Sequence, residues 1–136
     1  MTMKAIFAVL ITALFAFAGD GQIEDTARGR YLTEQVANCQ DCHTRHLVTG
    51  QLDNSAWLKG AILQPSRDDP SGKLIASAPD ITSGGAFWRR WGVDGMRQFL
   101  VTGRTPDGNM PGRLMPRYKL RRDDAGDIVA YLKSLK

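Results

Sequence analysis

Cysteine and histidine are scarce in this chain of 136 residues, with two of each. Two cysteines exclude a disulfide-dense scaffold. Apolar residues are also thin over most of the chain: 15 of the first 18 residues are hydrophobic, but only 43 of the remaining 118. The length allows one domain and excludes a multidomain enzyme. A domain of this size must bury a large share of its surface, so the low apolar content raises the question of what completes its core.

The apolar residues are concentrated in a segment with the features of a secretory signal. Lys4 provides a basic start, residues 5–15 are apolar apart from Thr12, and Ala-Phe-Ala at 16–18 is a small-x-small cleavage pattern. We expect Sec-type export to the periplasm and cleavage after Ala18, which leaves residues 19–136 as a single domain with no membrane span. A retained anchor is the alternative, although the apolar stretch is shorter than the roughly 20 residues that cross a bilayer.

The two cysteines lie three residues apart and a histidine follows at once, in the sequence Cys39-Gln-Asp-Cys42-His43. A redox-active dithiol does not need the histidine, and a zinc site needs a second ligand pair where only His46 remains. Cys-x-x-Cys-His is the signature of covalent haem attachment. Residues three apart share one face of a helical turn, so both thiols can reach one haem edge and His43 can bind the iron. One motif predicts one haem c.

A second iron ligand is sought among three methionines and the other histidine. Met96 lies at helical spacing among apolar residues and is more typical of a core. His46 is too close to His43 to reach the opposite face of the ring. Met110 and Met115 both precede a proline in a stretch rich in glycine and proline, where the restricted backbone suits a ligand. The residues alone leave Met110 and Met115 as alternatives.

The chain resembles the class I cytochromes c, including the single-haem carriers and cytochrome subunits of bacterial dehydrogenases. The resemblance covers most of the chain from about residue 24, and the haem motif is its most specific part. The matching segments are Gly29-Arg-Tyr-Leu32, Cys39-Gln-Asp-Cys42-His43-Thr44, Ala78-Pro-Asp-Ile-Thr82, Thr102-Gly-Arg-Thr-Pro-Asp-Gly108, Met115-Pro116 and Ile128-Val-Ala-Tyr-Leu-Lys-Ser-Leu135.

The resemblance implies a small all-α cytochrome c fold, with helices and long loops around one covalently bound haem. Its first and last helices would cross, with Gly29 allowing the close approach and Tyr31 or Leu32 meeting Tyr131. In this family the ligand methionine follows the Pro-Asp-Gly element by several residues, which favours Met115 over Met110. The family's proline, whose carbonyl orients the iron-binding imidazole, has no counterpart soon after His43.

Local patterns predict where the helices lie. We expect a first helix from about Thr26 to Asn38 and a short one around Asn54 to Gly60. A third should run from Val93 to Thr102 and end at Gly103, a common stop. The last should run from about Asp123 to Leu135, with acids near its start and lysines near its end. The polar segment Gln64–Lys73 is predicted to be an exposed loop.

These features predict a periplasmic one-electron carrier rather than an enzyme. His43 and Met115 would fill both axial positions of the iron, and a serine-histidine-aspartate set cannot be built from the two histidines. The expected partners are a dehydrogenase and a respiratory-chain acceptor, with the protein a monomer or a subunit of a larger complex. Nucleic acid is a poor partner for this exported domain. The alternative is a haem enzyme or sensor with a labile sixth ligand, acting on a sulfur compound, peroxide or a diatomic gas.

A run of positive charge surrounds the expected methionine ligand. Five basic residues and no acid lie within ten positions: Arg113, Arg117, Lys119, Arg121 and Arg122. If exposed beside the haem edge, they would steer an acidic partner into contact. A solvated loop is the alternative interpretation.

Overall fold

The computed structural model describes residues 24–63 and 76–136. The first helix, α1, spans Thr26–Tyr31, and the Asp25 side chain caps it by accepting hydrogen bonds from the next backbone N–H groups. A π-helical turn, Leu32–Val36, continues it, and a separate five-residue helix, α2, spans Cys39–His43. Asn38 separates the two because its φ of 50° is left-handed. The predicted first helix therefore exists, but its last turn is widened.

The long helix α3 spans Ala86–Thr102 and contains a kink at Gly92, which has φ 62° and ψ −170°. The helical turns after the kink begin where the sequence predicts a helix start, at Val93. Gly103, with φ 67°, ends the helix as predicted, because a residue without Cβ adopts this left-handed conformation at little cost. The turns before Gly92 were not predicted.

The last helix, α4, spans Arg122–Ser134, within one residue of the prediction at each end. Asp123 and Asp124 lie in its first turn and Lys133 in its last, the arrangement that the helix dipole favours. Its buried face packs into the apolar core, whose buried members in the described residues come mainly from α3 and α4: Leu58, Met96, Leu100, Ala125, Ile128, Val129, Tyr131 and Leu132.

Helices α1 and α4 cross in close contact at Gly29. A Cβ atom at this position would lie 1.9 Å from the carbonyl oxygen of Asp127, so only glycine allows this approach. Arg28 crosses the same interface and donates to Asp127 at 2.5 Å. The predicted role of Gly29 is confirmed. Of the two residues expected near Tyr131, Tyr31 is 59% exposed, while Leu32 packs against the core.

A short antiparallel hairpin interrupts the helical architecture. Strand β1 spans Ala61–Leu63 and strand β2 spans Ala76–Ala78, with Ala61 opposite Ala78. Before β1, a 3₁₀ turn at Asn54–Ala56 takes part of the place of the short helix predicted there. The loop predicted at Gln64–Lys73 lies outside the described residues.

The expected export signal, residues 1–18, also lies outside the described residues. Among residues 24–63 and 76–136, no helix is both long and apolar enough to cross a membrane. The described chain thus forms a helix-dominated domain in which α1, α3 and α4 enclose the apolar core and α2 presents the cysteine motif.

Candidate haem site

Helix α2 brings the three residues of the sequence motif together at one place. Cys39 and Cys42 are half-buried free thiols, and His43 is 4% exposed. Burial raises the pKa of Cys39 to about 11, so this thiol remains protonated at neutral pH. The side chain of Gln40 donates to the Glu34 carbonyl at 2.9 Å and joins α2 to the preceding π-helical turn.

The imidazole of His43 is held through one of its two ring nitrogens. Its Nδ1 lies 2.8 Å from the carbonyl oxygen of Pro79 and donates to it, since a carbonyl can only accept. This bond fixes the tautomer and leaves Nε2 with a lone pair for a metal. Burial lowers the pKa of His43, while the bond to Pro79 partly opposes that shift, so the ring stays neutral at pH 7.

Pro79 supplies a contact that the sequence did not predict. It lies 36 residues beyond His43, so the absence of a proline soon after the motif did not mean that the orienting carbonyl was missing. Two contacts hold Pro79 in place. Strand β2 ends directly before it, and two residues after it Ile81 donates its backbone N–H to the Leu58 carbonyl at 3.0 Å. The signal in the sequence that could have identified this contact was the segment Ala78-Pro-Asp-Ile-Thr82, which contains Pro79 and resembles the family.

Around α2 the backbone is fixed by buried hydrogen bonds. Thr44 is fully buried, and its hydroxyl accepts the backbone N–H of Leu58 at 2.9 Å. Leu58 is also fully buried and adopts a positive φ of 59°, which side-chain-bearing residues rarely do. Gly60 donates its N–H to the His43 carbonyl at 2.7 Å. These contacts hold the end of α2 against the residues that lead into β1.

An open cavity of about 1070 Å³ lies beside Cys42. Its walls include both strands of the hairpin and the loop residue Leu114. The polar groups that line it are of both kinds, from Arg45, His46 and Lys59 and from the carboxylates of Asp41 and Asp80. Elsewhere in the described chain, the indole N–H of Trp91 is buried without a hydrogen-bond partner. Trp91 packs against Phe87 with ring centroids 4.3 Å apart.

These features fit a haem covalently attached at the motif. Haem is a large flat apolar group with polar carboxylates, and it needs thiols for attachment and a neutral imidazole for its iron. The two thiols of α2, the oriented ring of His43 and the large cavity beside Cys42 meet these needs.

The four candidate second ligands occupy different environments. Met96 is 5% exposed within the apolar core, whereas Met110 is 39% exposed. Met115 is half-buried in the loop between α3 and α4, and its N–H donates to the Gly112 carbonyl at 2.9 Å. His46 is exposed at the rim of the cavity and is held in a backbone bridge to Leu52.

Comparison with known proteins supports the same conclusion. The model of the Cytochrome c family matches residues 26–136 of this chain. The chain belongs to this family. Covalently bound haem c is therefore its cofactor, and Cys39, Cys42 and His43 form a Cys-x-x-Cys-His motif. The small cytochrome c fold predicted from the sequence is confirmed.

Two curated relatives extend the comparison. The cytochrome is 32% identical over 111 residues to a protein named diheme cytochrome c-type from Cereibacter sphaeroides, covering 78% of this chain and 34% of the relative. It is 30% identical over 117 residues to the fructose dehydrogenase cytochrome subunit of Gluconobacter japonicus, covering 82% of this chain and 22% of the relative. The chain thus spans about a third or less of the length of these relatives.

Proposed function

We propose that this cytochrome is a periplasmic one-electron carrier with His/Met iron ligation that passes electrons between a dehydrogenase and a respiratory-chain acceptor. Cys39 and Cys42 would form the thioethers, and His43 and Met115 would bind the iron. The observation that carries this proposal is the environment of His43, the residue that follows the two cysteines. Its ring is buried and is held by a hydrogen bond to the Pro79 carbonyl. Electron transfer is the activity of the family to which the chain belongs.

His43 is suited to its proposed role because its orientation is set before the iron arrives. The bond to the Pro79 carbonyl holds the ring and increases the electron density at Nε2, which strengthens its bond to a metal. The lowered pKa keeps protons from competing for that nitrogen. The covalent links at the cysteines keep the cofactor next to this ring.

Met115 is the best of the methionines for the second position. Met96 is occupied in the core, and Met110 has the more exposed side chain. Met115 ends a turn that begins at Gly112 and precedes Pro116, so its backbone is restricted. The residue is half-buried. A thioether from Met115 together with the imidazole of His43 would raise the reduction potential of a bound haem c, which would supply one-electron chemistry.

If His43 and Met115 both held the iron, a substrate would have to displace a protein ligand before it could bind, which favours a carrier over an enzyme. Replacing Met115 with alanine tests this arrangement, with Met110→Ala as the matched control. Oxidised wild type and the Met110 variant should show the weak red absorption band of a methionine–iron bond, and the Met115 variant should lose it and bind cyanide rapidly. Loss of the band in the Met110 variant alone would reassign the ligand. A wild type that lacks the band and binds ligands rapidly would instead indicate the haem enzyme or sensor.

The basic segment, defined as the side chains of Arg113, Arg117, Lys119, Arg121 and Arg122, is the proposed docking site for redox partners. All five residues are exposed, and within residues 24–63 and 76–136 none of them forms an ion pair. By contrast, Arg28, Arg90 and Arg97 are all paired with acids. Leu114, which follows Arg113 in the sequence, is 55% exposed and lines the cavity beside Cys42. Unpaired cations at this rim would steer an acidic partner.

Ionic strength provides the test of docking. Oxidation of the reduced protein by ferricyanide, an anion, should slow as salt rises, because screening weakens the attraction. Reversal of three charges (Arg113→Glu, Arg117→Glu and Lys119→Glu) should lower the rate at low salt by roughly tenfold. Lys133→Glu, an exposed residue in the last turn of α4, is the control and should have a much smaller effect. If a single reversal in the segment, such as Arg117→Glu, lowered the oxidation rate no more than Lys133→Glu does, the proposed docking site would be wrong.

Two further points support the proposed location and assembly of the protein. The basic and apolar pattern of residues 1–18 supports export. One relative is named as the cytochrome subunit of a fructose dehydrogenase, which supports a dehydrogenase as donor. N-terminal sequencing of the periplasmic fraction should begin at Gly19, and co-purification with a larger oxidoreductase would identify a subunit rather than a free carrier.

A further inference from the structure

The loop that carries Met115 is long and has few bonds to the rest of the protein. The hydrogen bond of Met115 to Gly112 is local, and the loop is next fixed where Leu120 donates its N–H to the Leu100 carbonyl at 3.0 Å. Between Met115 and Leu120, in the described part of the chain, one hydrogen bond leads out of the loop, and it comes from the side chain of Tyr118.

The hydroxyl of Tyr118 donates to the carbonyl oxygen of Ala37 at 3.0 Å, across 81 positions of sequence. Ala37 follows the π-helical turn and lies two residues before Cys39. The left-handed conformation of Asn38 redirects the chain there, and the Asp41 N–H bonds to the Asn38 carbonyl rather than to that of Ala37. The Ala37 carbonyl is therefore available to a partner from outside the helix.

The backbone of Tyr118 is also closely packed. A Cβ atom on Gly103, at the end of α3, would lie 2.8 Å from the Tyr118 carbonyl oxygen. The aromatic ring is half-buried and packs against the apolar core. Burial raises the pKa of Tyr118 to about 12, so the hydroxyl keeps its proton and remains a donor through neutral and moderately alkaline pH.

We infer that Tyr118 is a positioning residue whose hydroxyl ties the Met115 loop to the backbone that leads into the cysteine motif. The bond joins a point three residues after one proposed iron ligand to a point two residues before the first thioether. It thereby limits how far Met115 can move away from the site. This inference rests on the proposed role of Met115 and adds the element that holds it in place.

Replacing Tyr118 with phenylalanine removes the hydroxyl and keeps the ring. A net hydrogen bond of ordinary strength corresponds to roughly a two- to tenfold change in an opening equilibrium. Because cyanide can bind only when the methionine has left, its binding rate to the oxidised holoprotein should rise by about that factor. Amide hydrogen exchange in residues 112–117 should accelerate similarly, which gives a readout independent of the iron.

Tyr131→Phe is the matched control, since the Tyr131 hydroxyl donates to Glu34 at 2.5 Å and joins α4 to the π-helical turn. Both variants should lower the thermal midpoint, but only Tyr118→Phe should speed cyanide binding and loop exchange. Equal cyanide rates in wild type and Tyr118→Phe would overturn the inference while the proposed ligand stands. A red band that survives Met115→Ala would instead overturn both the proposed ligand and the role inferred for Tyr118.

Discussion

The crossing of α1 and α4 at Gly29 gives the most direct prediction of stability. In Gly29→Ala the new Cβ would start 1.9 Å from the Asp127 carbonyl oxygen, a backbone atom, whereas separations under 3.0 Å are essentially never seen. The two helices must therefore move apart by more than 1 Å at this point, which disturbs the Arg28–Asp127 ion pair and the packing around Tyr131.

The expected magnitude is a balance of two opposing effects. Overpacking a closely packed interface costs about 1–3 kcal/mol, and a rigid backbone neighbour places this case near the upper end. Replacing glycine by alanine inside a helix returns up to about 1 kcal/mol. We therefore expect Gly29→Ala to lower the free energy of unfolding by about 2 kcal/mol, or the thermal midpoint by roughly 6–12 °C for a domain of this size.

Gly126→Ala is the matched control for this experiment. Gly126 is a buried glycine of α4, and a Cβ there would meet its nearest neighbour, Glu24, at an ordinary 3.6 Å. The helix gain should then dominate and raise the midpoint by a few degrees. Thermal unfolding of both holoproteins, followed by far-UV circular dichroism, measures the pair. If Gly29→Ala were as stable as wild type or as Gly126→Ala, the close crossing described here would be wrong.

Three other measurements test separate parts of the structure. Asn38→Ala should cost about 1 kcal/mol because alanine adopts the left-handed backbone less readily than asparagine, whereas Asn38→Gly should be nearly neutral in chemical denaturation. Replacing both Cys39 and Cys42 with alanine should reduce helical circular dichroism, since the haem completes the core; a natively folded apoprotein would contradict this. Burial raises the pKa of Tyr131 to about 12, so its contribution to stability is present below pH 10 and is lost as pH rises towards 12. Tyr131→Phe should flatten that alkaline loss while Tyr31→Phe should not, and identical pH profiles would rule out the assignment.

The sequence predicted the parts of the fold that depend on local chemistry. The end of α3 at Gly103 and the bounds of α4 follow from a glycine stop and from charges that match the helix dipole. The predicted crossing of the first and last helices at Gly29 was also correct. The family resemblance pointed to this position, where a side chain would prevent the close approach. The haem motif could be identified from the sequence alone, since all of its functional residues lie within five consecutive positions.

Other features depend on contacts that local patterns do not encode. The hairpin pairs two strands of three residues each, too short for a period-two pattern to stand out, and one of them is Ala-Ser-Ala. The widened turn at Leu32–Val36 looks like ordinary helix in sequence. The partner of His43 is a backbone carbonyl 36 residues away, so the family resemblance points to a proline but only the fold shows that this proline is Pro79.

The proposed site therefore combines a local motif with distant supports. Helix α2 is too short to fix its own orientation, because five residues barely exceed one helical turn. The Pro79 carbonyl holds one end through His43, and the Tyr118 hydroxyl holds the other through Ala37. These two supports come from segments before α3 and after it, so the geometry around the iron depends on how α3 and α4 pack. A core substitution in those helices that preserves overall folding should for this reason alter ligand exchange at the iron, even where it lies far from the cysteine motif.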